Sequence, residues 1–100
     1  MSSNLYVGID QDRDGGMTPA GTMIRDAWVF GVIPESETCA GWTSQRLQDL
    51  YEKVYTKWLP YGHLVSNLPP ELRERHARIH GEAFARAKAM GWQAELGDDD

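Results

Sequence analysis

The sequence has little of what a disulfide-linked or membrane-embedded protein requires. Cys39 is the single cysteine among 100 residues, so no disulfide can form within the chain. No apolar run approaches the roughly 18 residues of a membrane span, and the first residues lack the basic stretch and apolar stretch of a secretory signal. We therefore expect a protein of the reducing cytoplasm that has no membrane partner.

Positive charge is also scarce. Ten Lys and Arg residues stand against fifteen Asp and Glu residues, which gives a formal net charge of −5. An acidic chain has no overall electrostatic attraction for nucleic acid, and we expect no nucleic-acid partner. The chain also lacks a glycine-rich phosphate loop and a Gly-x-Ser-x-Gly turn. These absences favour a protein that is not an enzyme.

What the sequence does contain is helical periodicity, which is clearest in residues 69–91. This stretch opens with two prolines, ends at a glycine and carries apolar side chains at helical spacing. His76 and His80 lie on the same arc, so the pattern predicts a helix that turns both imidazoles inward and its arginines toward water. The apolar members of the arc are Leu72, Ile79, Ala83, Ala87 and Met90.

Two further helices are predicted upstream. Thr18 is a suitable N-cap for a helix over residues 19–30, because proline follows it at the first helical position. A second helix over residues 44–59 ends where the ring of Pro60 cannot continue the turn. The apolar face of this second helix is expected to contain Leu47, Leu50, Tyr51, Val54, Tyr55 and Trp58.

Together these patterns predict one all-α domain over residues 1–100, an irregular three-helix bundle with the third helix central. Residues 1–17 are expected to form an extended N-terminal arm and an acidic loop, 18–95 the helical core, and 96–100 a short acidic tail. The first helix and the arm carry more apolar surface than one small core can cover. The leading hypothesis is therefore a non-enzymatic accessory protein that acts through a protein partner or as a homodimer.

The alternative hypothesis is a metal-binding protein with a zinc-type site. His76 and His80 lie one turn apart, the spacing that presents two imidazoles to one ion. His63 and Cys39 are the other soft or borderline ligands, and they complete a Cys-His₃ set if two connecting segments converge on the third helix. Packed imidazoles that hydrogen-bond a carbonyl or carboxylate are the competing interpretation. Ala77 stands where a zincin would need its catalytic glutamate.

The stretch 10–18 offers a second metal hypothesis, because it resembles the first half of an EF-hand calcium loop. Asp10, Asp12 and Asp14 take the alternate oxygen-donor positions, and two glycines follow. The twelfth position is Gly21 instead of a bidentate glutamate, and no helix is predicted before the loop. The competing interpretation is a solvated acidic loop whose carboxylates stabilise the start of the next helix.

Cys39 also raises the question of nucleophilic catalysis. Such a role requires an adjacent base, for which His63 is the candidate, and a pair of oxyanion donors. No pattern around Cys39 supports that arrangement, so we expect a small buried thiol instead. An enzyme acting on a small organic substrate is the third hypothesis.

Overall fold

The computed structural model describes residues 5–91, without the side chains of residues 14 and 15. Its three helices are α1 (Pro19–Val29), α2 (Ser44–Trp58) and α3 (Pro70–Ala89). Short 3-10 turns lie between and before them, at Ile9–Gln11, Arg13–Gly16, Leu59–Tyr61 and Val65–Asn67. No β-strand occurs in this part of the chain, which confirms the all-α three-helix prediction.

The helix ends follow the local chemistry of the sequence. The hydroxyls of Thr18 and Thr43 each accept a hydrogen bond from a first-turn amide, at 3.0 and 3.1 Å. Pro70 occupies the first position of α3, where a missing amide donor costs least. Helix α3 continues through Gly81 without a break, and Gly91 follows it with a left-handed φ of 98°. All the bounds lie within one or two residues of the predicted ones.

The central helix is α1, and the expectation that α3 would be central is wrong. Helix α1 packs against both α2 and α3, whereas α2 and α3 hardly touch each other. Ile24 and Ala27 are completely buried between the two neighbours. The larger core cluster is built from α1, α2 and the segments around them, and consists of Ile9, Ile24, Ala27, Cys39, Leu50, Val54, Trp58 and Leu68.

Three residues of the predicted apolar faces lie largely at the surface. Met90 is 62% exposed, because it follows the last residue of α3 and lies beyond the face that packs on α1. Tyr51 and Tyr55 are 49% and 47% exposed. They each follow a buried residue of α2, so they lie about 100° around the helix from the stripe that faces α1.

The N-terminal arm forms its backbone hydrogen bonds with the connection between α1 and α2. The Tyr6 amide donates to the Trp42 carbonyl at 2.9 Å, and the Gly41 amide donates to the Tyr6 carbonyl at 2.8 Å. Further along, the Ile9 amide donates to the Thr38 carbonyl at 3.0 Å. The side chain of Ile9 enters the core, so the arm both covers the connection and contributes to the interior.

None of the helices in residues 5–91 is both long enough and apolar enough to cross a membrane. The predicted acidic tail at residues 96–100 lies outside the described residues.

Candidate metal centre

Three ligand-type side chains meet where α1 packs on α3. His76 and His80 project from successive turns of α3, with ring centroids 4.2 Å apart. Asp26 projects from α1, and its Oδ1 lies 2.8 Å from His80 Nε2 and 3.9 Å from His76 Nε2. Of the residues that the structure describes, these form the one group whose potential ligand atoms all lie within 4.8 Å of one another.

The distances within this cluster suit a first-row transition metal. Bonds of about 2.0–2.2 Å in a tetrahedral zinc site place the ligand atoms roughly 3.3 Å apart. The separations of 2.8 and 3.9 Å lie on either side of that value. The 2.8 Å contact is also a hydrogen-bond distance, so His80 and Asp26 must move slightly apart to admit an ion, and all three ligand atoms lie within 4.8 Å of one another.

The three side chains of the cluster are largely buried but keep some contact with solvent. The exposed fractions of the side chains are 17% for Asp26, 20% for His76 and 23% for His80. Burial, together with the neighbouring His80, lowers the pKa of His76, and the Asp26 carboxylate opposes that shift. A neutral imidazole is the form that coordinates a metal. The remaining exposure gives an ion a path to the site.

Trp58, the last residue of α2, holds the carboxylate of the cluster. Its indole Nε1 donates to Asp26 Oδ2 at 3.3 Å, while Oδ1 faces the two histidines. The indole also meets the His76 ring edge-on, with centroids 6.2 Å apart. Partners of this kind fix the orientation of metal ligands and tune their affinity. All three helices therefore contribute to the site.

The structure does not bring Cys39 and His63 into this cluster. The His63 ring is exposed and packs against Tyr55, with centroids 4.7 Å apart. Cys39 is completely buried in the connection between α1 and α2. Burial, and then the Glu37 carboxylate, raise the pKa of its thiol to about 11, which makes it a poor nucleophile at neutral pH. The two residues adopt left-handed φ angles of 64° and 61°, which sequence periodicity does not reveal.

In the acidic loop, Asp12 is already satisfied by protein groups. Its Oδ2 accepts hydrogen bonds from the hydroxyls of Tyr6 and Thr18, both at 2.6 Å, and its Oδ1 accepts one from a backbone amide at 2.7 Å. Asp10 is exposed and forms an ion pair with α3 at 3.4 Å. The side chain of Asp14 lies outside the described part of the structure. Through Thr18, Asp12 supports the start of α1, as the competing interpretation of the loop expects.

Sequence reasoning missed Asp26, the residue that joins the two histidines. The sequence contained little signal, because Arg25 and Asp26 lie off the apolar stripe of α1, at helix positions that usually face water. Arg25 is only 5% exposed and donates to the Gly16 carbonyl at 2.8 Å. Buried charges are rare unless they are paired, so the burial of Arg25, which only the structure reveals, points to tertiary polar contacts on this side of α1.

No protein-family model, curated protein or solved structure matches this chain. Its function is therefore inferred from the geometry and chemistry of the molecule itself.

Proposed function

We propose that the protein binds one divalent transition-metal ion of the zinc type through Asp26, His76 and His80. The observation that supports this proposal is the convergence of two imidazoles and one carboxylate within 4.8 Å. Zinc accepts this donor set, and sites with three protein ligands keep a fourth position for water or another ligand. Imidazole donors also suit copper, nickel and iron, so the choice among these ions depends on affinity and supply.

The ion would serve a structural or sensing role. Its ligands come from α1 and α3, so binding ties together two helices that otherwise share a partly polar interface. A ligand that binds only the folded state stabilises it, and the metal would therefore raise the melting temperature. The zincin glutamate position is occupied by Ala77, which favours this role over metal-dependent hydrolysis.

Native mass spectrometry of protein purified without chelator, followed by titration with Zn²⁺ and Co²⁺, tests the proposal. We expect one ion per chain and a metal affinity that falls at least tenfold in His76→Ala, His80→Ala and Asp26→Asn. His63→Ala is the matched control. This histidine lies outside the cluster, so the variant should bind the metal with unchanged affinity. Unchanged affinity in both His76→Ala and His80→Ala would contradict the proposal. Calcium-dependent melting that Asp12→Ala abolishes would assign an ion to the acidic loop instead.

A second candidate function is binding of a protein partner or a second copy of the chain. Several large apolar side chains between residues 51 and 65 are 39–55% exposed, namely Tyr51, Tyr55, Leu59, Leu64 and Val65. Exposed apolar surface of this kind often marks an interaction site. Light scattering over a range of concentrations tests the homodimer, which Leu59→Ser should dissociate. A strict monomer at every concentration would contradict self-association.

A further inference from the structure

A cleft with a volume of about 490 Å³ lies between α1 and α2 and is closed at one end by the turn after α2. This volume is within the range of small-molecule sites, roughly 300–1,000 Å³. The cleft shares Asp26 and Trp58 with the surroundings of the metal centre, but neither His76 nor His80 lines it. It is therefore a neighbouring site with its own walls.

One wall of the cleft is a continuous row of aromatic rings. Tyr51 and Tyr55 have centroids 6.3 Å apart, Tyr55 and His63 are 4.7 Å apart, and His63 and Trp58 are 6.3 Å apart. The faces of tyrosine and tryptophan rings carry negative potential and attract cations.

The charge of the cleft is negative. Of the described residues that line it, Asp26 is the single carboxylate, and none is Lys or Arg. The Asp26 side chain is 17% exposed, and its two oxygens already contact His80 Nε2 and Trp58 Nε1, so its charge acts on the cleft beside these two partners. The opposite wall includes Met17 and Met23, whose flexible thioethers adapt to ligands of different shape.

We propose that this cleft binds a small organic cation, an ammonium group carried on an aromatic or alkyl body. The ammonium group lies toward Asp26, and the apolar body lies against Tyr51 and Tyr55. A carboxylate of the same size is repelled by Asp26, and a neutral analogue gains the apolar contacts without the charge attraction.

Metal binding and cation binding should oppose each other. An ion on Asp26, His76 and His80 neutralises the carboxylate that attracts the ammonium group. Coupling between two ligands is reciprocal, so the organic cation should weaken metal binding by the same factor. The cleft proposal does not depend on the metal, because the metal-free protein has both the walls of the cleft and the Asp26 carboxylate.

The test uses three probes that share a phenyl ring on a two-carbon chain and differ in charge: phenethylamine, 2-phenylethanol and 3-phenylpropionate. Binding to chelator-treated full-length protein is followed by NMR shift perturbation. We expect the amine to bind at least tenfold more tightly than the alcohol and the carboxylate to bind least. The largest shifts should map to Thr22, Met23 and Tyr55. Equal affinity for the three probes, or shifts elsewhere, would overturn the proposal.

Variants then separate the cleft from the metal centre. Asp26→Asn should reduce the affinity for the amine to that for the alcohol, while Glu52→Gln, a carboxylate of α2 outside the cleft, should change nothing. His76→Ala should lose metal binding and keep amine binding, so failure of one proposal leaves the other testable. Zn²⁺ added to wild-type protein should weaken amine binding, and His76→Ala should remove that effect. An amine preference that survives Asp26→Asn would overturn the proposal.

Discussion

Helix α1 makes two interfaces of different character. Against α2 it packs through apolar side chains, with Leu50, Val54 and Trp58 buried at helical spacing. Against α3 it presents Asp26 to two imidazoles, with Ile79 and Ala87 as the buried apolar residues of that helix. The first interface is suited to stability and the second to ligand chemistry, because apolar burial is the main source of folding free energy. Substitutions at the α1–α2 interface and at the α1–α3 interface are therefore expected to have different effects.

The largest effect is expected for truncation on the apolar side. Trp58→Ala removes a ring that is 91% buried and leaves a cavity in the core, so it should lower the free energy of unfolding by about 3–5 kcal/mol. Chemical denaturation measures this loss. Tyr51→Ala on the same helix is the control and should cost much less, because that ring is half-exposed. A Trp58→Ala protein that melts like wild type would contradict the assignment of the core.

The second-largest effect is expected for the loss of the Trp58 hydrogen bond, which links the α1–α2 interface to the metal centre. Trp58→Phe keeps an aromatic ring but removes the Nε1–H that holds Asp26, so metal affinity should fall by about 10–100-fold. Val54→Ala is the control, because it also weakens the core yet does not contact the carboxylate. Competition titration with a chromophoric chelator measures both affinities. If metal affinity fell equally in the two variants, Trp58 would affect metal binding only through the stability of the fold.

The hydrogen bonds of Asp12 near the start of α1 should make the free energy of unfolding depend on pH. Burial alone would raise the pKa of Asp12, but hydrogen bonds from Thr18, Tyr6 and a backbone amide outweigh it and lower the pKa. The resulting stabilisation is present above the unfolded-state pKa of about 3.9 and is lost as pH falls through the folded-state pKa.

Asp12→Asn should therefore destabilise the protein at pH 7 and have a smaller effect near pH 3, below the unfolded-state pKa. Urea denaturation at the two pH values measures the difference. A destabilisation of equal size at both would show that the charge of Asp12 contributes nothing.

The smallest effect is expected at the outer edge of the α3 interface. Glu35 accepts a hydrogen bond from Arg78 at 2.8 Å and lies 3.7 Å from Arg75, but all three side chains are well exposed. Exposed ion pairs are screened by water and salt and contribute little. Glu35→Gln should leave the melting temperature almost unchanged, and thermal melting checks this. A large decrease would mean that exposed charges, and not the cluster around Asp26, hold α3 in place.

The three helices could be predicted because their signals are local. Thr18, Thr43 and Pro70 set helix starts through contacts within one turn, and helical spacing alone predicted that His76 and His80 face inward. The contacts of both histidines with Asp26 were not predicted, because they depend on how α1 packs on α3, which no local pattern specifies.

The predicted zinc set failed to assemble for the same reason. Its loop members, Cys39 and His63, lie where the chain takes left-handed turns, and the direction of such turns is not encoded in apolar spacing. Sequence periodicity thus predicted one half of the candidate site, the half carried by a single helix. The half that comes from the packing of two helices required the structure.

The indole of Trp58 has consequences beyond any single interface. It fills the core, steadies the carboxylate of the metal centre and forms part of the cleft wall. A substitution there affects all three roles, because the indole joins a large apolar ring to an N–H donor that reaches Asp26. Natural variation should accordingly be far narrower at position 58 than at positions 51 and 55.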